Sequence, residues 1–252
     1  MSIASAARPD RRLANAGQGW VVQDGDRFVE HGHRDVFDRE LQQVRGDVVR
    51  MGELVAVAID RAIDALAHQD LQAAAAVVAN DGKVNLAQTE LTSLIITTIA
   101  TQAPVAGDLR FLISLSHVAY ELERIGDHAA GVARQVARLV DSRADGRTVG
   151  ATGLDRIGEL VSTILHGVLL ALVDLDAQAA RRVAAQDDEI DRLYHAYFER
   201  TLERMRSEPE WVDVGAHLLF AAKDLERIGD RVTNIAEEVV FLSTGLVEDL
   251  NP

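Results

Sequence analysis

The chain has 252 residues, with 26 Lys and Arg against 40 Asp and Glu, for a formal net charge of −14. That charge repels nucleic acid and anionic lipid at long range, so neither is expected as a direct partner. The absence of cysteine excludes disulfides and thiolate metal sites and is compatible with a reducing compartment. Hydrophobic residues make up 48% of the chain but aromatics only 4%, with four prolines, a mixture that suits long helices better than sheets. No unbroken apolar run approaches the roughly 18 residues of a membrane span, and the N-terminus shows no apolar core of a signal peptide. The expected location is the cytoplasm, with membranes reached only through partners.

Residues 1–36 hold Gly17, Gly19, Gly25 and Gly32 among scattered charges and read as a flexible extension without a period. From residue 37 apolar positions recur every three or four residues, through Leu41, Val44, Val48, Met51, Val55, Ala58 and Ala62, which is the stripe of an amphipathic helix. Asp70 stands where an N-cap would open a second helix, and Pro104 where the first residue of a third would fall. The stretch 142–153 is a linker rich in charged and small residues. After it the same plan returns. Leu154, Ile157, Val161, Ile164, Val168 and Leu172 repeat the first stripe, Asp176 repeats Asp70 at an offset of 106, and Pro209 repeats Pro104 at 105. The hexapeptide LERIGD at 122–127 stands again at 225–230. A period of this kind marks tandem duplication. The fold class is therefore all-α: two tandem three-helix up-down-up bundles, 37–141 and 154–245, followed by a tail at 246–252.

The duplicated hexapeptide concentrates acids. On a helix, Leu122, Ile125, Ala129, Val132 and Val136 gather on one side as a core stripe, while Glu123 and Asp127 share a neighbouring arc. Glu226 and Asp230 take the same arc in the second half, extended by Asn234 and Glu237. The preceding helices offer Asp187 and Asp191 in the second half and Asp81 and Asn85 in the first. Carboxylates on a half-apolar face are costly unless paired or bound to a cation. Oxygen donors without cysteine suit hard cations or carboxylate-bridged iron and manganese. A salt-bridged helix edge built with Arg110, Arg124, Arg192 and Arg227 answers the same need, and spacing alone leaves both readings open. Gly126 and Gly229 would let a neighbouring helix, or a water on a metal, come close. His117, Tyr120 and His128 read as packing or surface residues, and Glu30–His33 as a solvated turn.

The two LERIGD motifs, the phrase LLFAAKDLERIGDRVTNIAEEV at 218–239 and QAPVAGDLRFL at 102–112 resemble the PhoU family of phosphate-uptake regulators, over about 37–245. The resemblance implies two pseudo-symmetric three-helix bundles that carry metal ions of a divalent or transition type (Fe, Mn, Zn or Mg). The implied ligands are Glu123 with Asp127 and Glu226 with Asp230, supported by Asp81, Asp187 and Asp191; Asn234 joins the candidate metal ligands by its place on the same arc. It also implies a non-enzymatic negative regulator, a homodimer, standing between the ATPase subunit of a phosphate ABC transporter and a sensor histidine kinase. The first half departs from the pattern, with Gly131 and Arg134 where the second has Asn234 and Glu237, so its site is expected to be weaker. Two rivals are a metal-free helical adaptor with salt-bridged edges and a carboxylate di-iron oxidase. The oxidase needs a Glu-x-x-His on each of two helices, and the single Glu-x-x-His is Glu30–His33.

Overall fold

The computed structural model describes residues 24–142 and 153–250, and helices make up nearly all of them. In the first half α1 runs over Asp24–His68, α2 over Leu71–Gln102 and α3 over Ala106–Asp141. In the second half α4 spans Leu154–Asp174, α5 Ala177–Ala184, α6 Asp187–Ser207 and α7 Val212–Thr244. The duplicated aspartates cap as the sequence predicts. Asp70 accepts the backbone N–H of Gln72 at 2.9 Å and of Ala73 at 3.0 Å, and Asp176 accepts those of Gln178 and Ala179, both at 2.9 Å. These bonds satisfy donors that the first helical turn leaves without partners.

The predicted stripes are the core. Leu122, Ile125, Ala129, Val132 and Val136 are fully buried, as are Val44, Val55, Val161 and Val168. One continuous cluster of buried apolar residues runs through both halves, so the duplicated bundles share a core. The halves meet along two helix pairs, α1 against α4 and, more extensively, α3 against α7. Close approach in the first pair is made by glycine. A Cβ on Gly52 would stand 2.6 Å from Leu169 Cδ2, and one on Gly158 would stand 2.9 Å from Ile63 Cγ2. The two contacts exchange under the same 106-residue offset, the signature of a pseudo-twofold. Helix α4 is long and apolar enough to cross a membrane by length and composition alone. Its buried positions, Leu154, Ile157, Val161, Ile164, Leu165 and Val168 among them, make it a core helix of the second half.

Four local expectations are corrected. The extension read as flexible over 1–36 is helical from Asp24 onward, as a continuation of α1; adding turns to an existing helix avoids the cost of a new nucleus. Residues 1–23, 143–152 and 251–252 lie outside the described residues, and with them most of the predicted linker and the end of the tail. Pro104 falls in the 103–105 turn, two residues ahead of α3, and Pro209 opens a 3-10 turn, Pro209–Trp211, ahead of α7. Finally, the second helix of the second half is interrupted at Ala185 and Gln186. The break puts Asp187, Asp188 and Glu189 in the first turn of α6, where the helix dipole favours negative charge.

Candidate functional site

Each half brings its predicted acids together on the face where the second helix meets the LERIGD helix. The repeated glycine is what permits it. A Cβ at Gly229 would collide with Asp187 Oδ1, nearer than real Cβ contacts come, and Gly126 stands 3.7 Å from Asp81 Oδ1 by the same construction. The glycines remove the side chain that would hold the aspartate of the neighbouring helix away.

In the second half Asp187 is 3% exposed and Glu226 9% exposed. Thr233, itself buried, donates its hydroxyl to Asp187 Oδ2 at 3.4 Å. Burial pushes the Asp187 carboxyl up to about 7, with further upward pressure from Asp191, Asp230 and Glu226, opposed by Thr233. Glu226 and Asp230 are engaged by cations of their own helix. Lys223 Nζ donates to Glu226 Oε1 at 2.6 Å, and Arg227 Nη1 to Asp230 Oδ2 at 3.2 Å. Arg227 Nε also lies 3.8 Å from Glu226 Oε2.

The first half is a weaker copy. Burial, then Asp127, raises Asp81, while Arg134 lowers it. Burial, then Asp127, raises Glu123, which Arg124 lowers. The place of Asp191 is taken by Asn85, which is exposed. Arg134 therefore reaches the first acidic group electrostatically, as its position on the helix implies.

Of the predicted ligands, Asp187, Asp191, Glu226 and Asp230 share one electrostatic environment, and Asp81, Glu123 and Asp127 another. Asn234 is half-buried one turn beyond Asp230. Glu237 is engaged away from that arc through one oxygen, its Oε1 accepting the backbone N–H of Leu250 at 2.9 Å. The donor chemistry fits a hard cation. Yet among the described residues no three His, Cys, Asp or Glu side chains converge in a way that could hold one ion. The carboxylates of Glu226 and Asp230 turn toward Lys223 and Arg227 instead. Of the four arginines suggested as counter-ions, Arg227 serves closely and Arg124 reaches only to 3.8 Å from Glu123. Arg192 is clamped by Glu189 at 2.6 and 2.7 Å, and Arg110 lies over the Phe241 ring.

The residues bracketing LERIGD carry a role that the sequence reading missed. Glu121 precedes the first motif and Asp224 the second; His128 follows the first and Arg231 the second. Across the α3–α7 contact, His128 Nδ1 lies 3.1 Å from Asp224 Oδ1, and Arg231 Nη1 lies 3.4 Å from Glu121 Oε2. The pairs are pseudo-twofold mates. The duplicated unit is thus acid-LERIGD-base: its flanks bind the other copy, and its interior acids face the preceding helix. The available signal was that the flanking acid and base repeat together with the hexapeptide.

An all-helical duplicated bundle with acids at the same helix junction in both halves defines the class. The sequence matches the PhoU domain twice, over residues 48–136 and 154–239, and the chain belongs to the PhoU family. It is 36% identical over 209 residues to the phosphate-specific transport system accessory protein PhoU homolog of Caulobacter vibrioides, covering 83% of this chain and 90% of that one. It is 31% identical over 218 residues to the homolog of the same name from Streptococcus pneumoniae, covering 86% of this chain and all of that one. The crystal structure of the phosphate transport system regulatory protein PhoU from Streptococcus pneumoniae superposes with a TM-score of 0.78 at 30% identity, covering 84% of this chain and 99% of that one. PhoU from Pseudomonas aeruginosa gives 0.78 at 32% identity, with 83% and 100% covered.

Proposed function

We propose that this protein is a non-enzymatic negative regulator of phosphate uptake and phosphate-starvation signalling. It acts in the cytoplasm as a homodimer, between the ATPase subunit of a phosphate ABC transporter and a sensor histidine kinase. The observation that carries the reading is the paired PhoU domain spanning both halves, in relatives that are named accessory proteins of phosphate-specific transport. Fold alone would not carry it, because function lives in sites and not in folds. Deleting the gene tests the reading directly. Phosphate uptake and starvation-response expression are expected to rise at high phosphate, and unchanged levels of both would overturn it.

The reading includes a metal on the second-half acids. Asp187, Asp191, Glu226 and Asp230 are hard oxygen donors in one environment, and a divalent ion would relieve their mutual repulsion. To bind it, Glu226 and Asp230 must leave Lys223 and Arg227. Those ion pairs favour the rival reading, a metal-free helical adaptor whose acids are neutralised by lysine and arginine. Metal analysis of untagged protein separates the two: stoichiometric metal lost in Asp230→Ala, and less affected by Asp127→Ala, supports binding, whereas metal-free protein supports the adaptor.

A further inference from the structure

Helix α2 has two contact faces, and the first bundle uses only one. Val77, Val84, Leu91 and Thr98, seven residues apart, are buried against that bundle. On the opposite side a second line runs from Ala75 to Ala100 in alternating steps of four and three residues. All eight of its positions are exposed and uncharged, and they include Leu86 at 57% and Ile96 at 61% exposure. Steps that average 3.5 residues are the contact line of one helix laid along another, yet no described element covers this one. The second half shows what an ordinary solvated face looks like at the same place. At the 106-residue offset Gly82, Leu86, Thr89 and Ser93 are matched by Asp188, Arg192, His195 and Glu199, all exposed. Gly82 is a separate sign. Gly52, Gly126, Gly158 and Gly229 each admit a neighbouring side chain, whereas a Cβ on Gly82 would meet nothing within 4 Å. Glycine inside a helix is destabilising, and no packing within the described chain accounts for it.

We propose that this face of α2 is a homodimer interface, packed antiparallel on the same face of a second copy of the chain. With a twofold passing between Leu86 and Thr89, every position of the line falls opposite a position of the other line. Leu86 then meets the partner's Thr89, Ile96 meets the partner's Ala79 and Gly82 meets the partner's Ser93, so each large side chain lies on a small one. Thr89 already gives its hydroxyl to Asn85 O at 2.9 Å and needs no polar partner across the contact. Parallel pairing would instead set Leu86 on Leu86 and Ile96 on Ile96 and leave a gap at Gly82, which close packing disfavours. Charge selects the same partner. The charged residues of α2 are Asp81, Lys83 and Glu90. Asp81 belongs to the acidic group, while Lys83 and Glu90 border the line and make no ion pair or hydrogen bond with a described residue. The antiparallel register places Lys83 of each copy beside the partner's Glu90, which fixes orientation. An uncharged centre with charges at its rim is the usual composition of such contacts. The line is about 38 Å long, which puts the pair among small interfaces, so the dimer is expected to be reversible.

The interface rests on the homodimer of the regulatory reading and says which surface makes it. Sedimentation equilibrium of the full chain in EDTA, over a concentration series, is the test. A monomer–dimer equilibrium is expected. Leu86→Lys and Ile96→Glu, at exposed positions with little cost to folding, should each raise the dimer dissociation constant by at least about tenfold. Leu170→Lys, at a position 65% exposed on α4, should leave it unchanged, and helical circular dichroism confirms that each variant is folded. Lys83→Glu should weaken the dimer, and adding Glu90→Lys should restore it. The chain has no cysteine of its own, so crosslinking reads the orientation. Ala79→Cys combined with Ile96→Cys should oxidise to a covalent dimer. Ile96→Cys alone should not, because the two copies of Ile96 would stand about 25 Å apart. A dimer that survives folded Leu86→Lys and Ile96→Glu overturns the interface and leaves the homodimer standing on another surface. Efficient crosslinking of Ile96→Cys alone overturns the antiparallel pairing and the proposal with it. A chain that is monomeric throughout the series defeats both the homodimer and this interface, while phosphate regulation is still decided separately by gene deletion.

Discussion

At the scale of single residues the site depends on an absence and a presence: a missing Cβ at Gly229 and a carboxylate at Asp187. Alanine at a helical glycine gains about 1 kcal/mol of helix propensity. At Gly126 the new Cβ would meet Val84 Cγ1 at 3.2 Å, a contact that a small shift relieves, so Gly126→Ala is expected to be close to neutral. At Gly229 it meets the buried carboxylate itself, and Gly229→Ala is expected to destabilise by roughly 1–3 kcal/mol as the core is overpacked. Thermal unfolding of both variants checks the difference; equal effects would remove the steric account. The Asp187 carboxyl predicts a pH dependence in metal-free protein. Its folded value of about 7 lies above the ordinary value of 3.8, so the folded chain holds a proton that the unfolded chain has released. The penalty is absent below the unfolded value, grows as pH rises through that window, and is constant above the folded value. Asp187→Asn is therefore expected to be more stable than the parent at pH 8, by roughly 2–4 kcal/mol at most. Near pH 4 the two should unfold together.

At the scale of elements the decisive contact is α3 on α7, where each copy of the motif presents its flanking acid to the flanking base of the other. Glu121 and Arg231 are partly shielded, with side chains 15% and 29% exposed, so their pairing should exceed that of a fully exposed ion pair. A double-mutant cycle with Glu121→Gln and Arg231→Gln is expected to return a coupling of about 1 kcal/mol, whereas the exposed Arg156–Glu159 pair should return close to zero. A zero coupling for the shielded pair would reduce the cross-half contact to packing alone. The helices themselves were legible in the sequence because their signals are one-dimensional. The three-and-four stripe, the capping aspartates and the 106-residue offset can each be read without knowing what touches what. The acidic groups were legible for the same reason, since Glu123 with Asp127 and Glu226 with Asp230 are neighbours on their own helices. What was not legible lies between elements. A repeat does not say how its copies face each other, so His128 read only as a packing or surface residue. Glu237 read as a site residue because nothing in the helix period reveals that Leu250 folds back to it. The break at Ala185 and Gln186 has no proline or glycine to announce it.

At the scale of the whole molecule, duplication has produced one core and two unequal faces. The halves are held in register by paired contacts that a pseudo-twofold exchanges, Gly52 with Gly158 and Glu121 with Asp224. The second half retains four acids, Asp187 and the three around it, Asp191, Glu226 and Asp230. The first half has three, with Arg134 lowering the Asp81 carboxyl and Asn85 in the place of Asp191. Hard-cation affinity rises with the charge and number of ligands, so the second half is expected to hold a divalent ion more tightly. Lys223 and Arg227 oppose this by competing for Glu226 and Asp230, Lys223 through a partly buried pair with Glu226 at 2.6 Å, and an ion displaces them by meeting several carboxylates at once. Titration of metal-free protein with Mn²⁺ should thus resolve a tighter and a weaker class of site. Glu226→Gln is expected to remove or weaken the tighter class by at least about tenfold, in line with the loss of one charged ligand. Glu123→Gln should leave that class in place and act on the weaker one alone. If Glu123→Gln removed the tighter class, or if the two substitutions weakened binding equally, the faces would be equivalent as ion sites despite Arg134 and Asn85. The electrostatic difference between the halves would then have no bearing on what they bind.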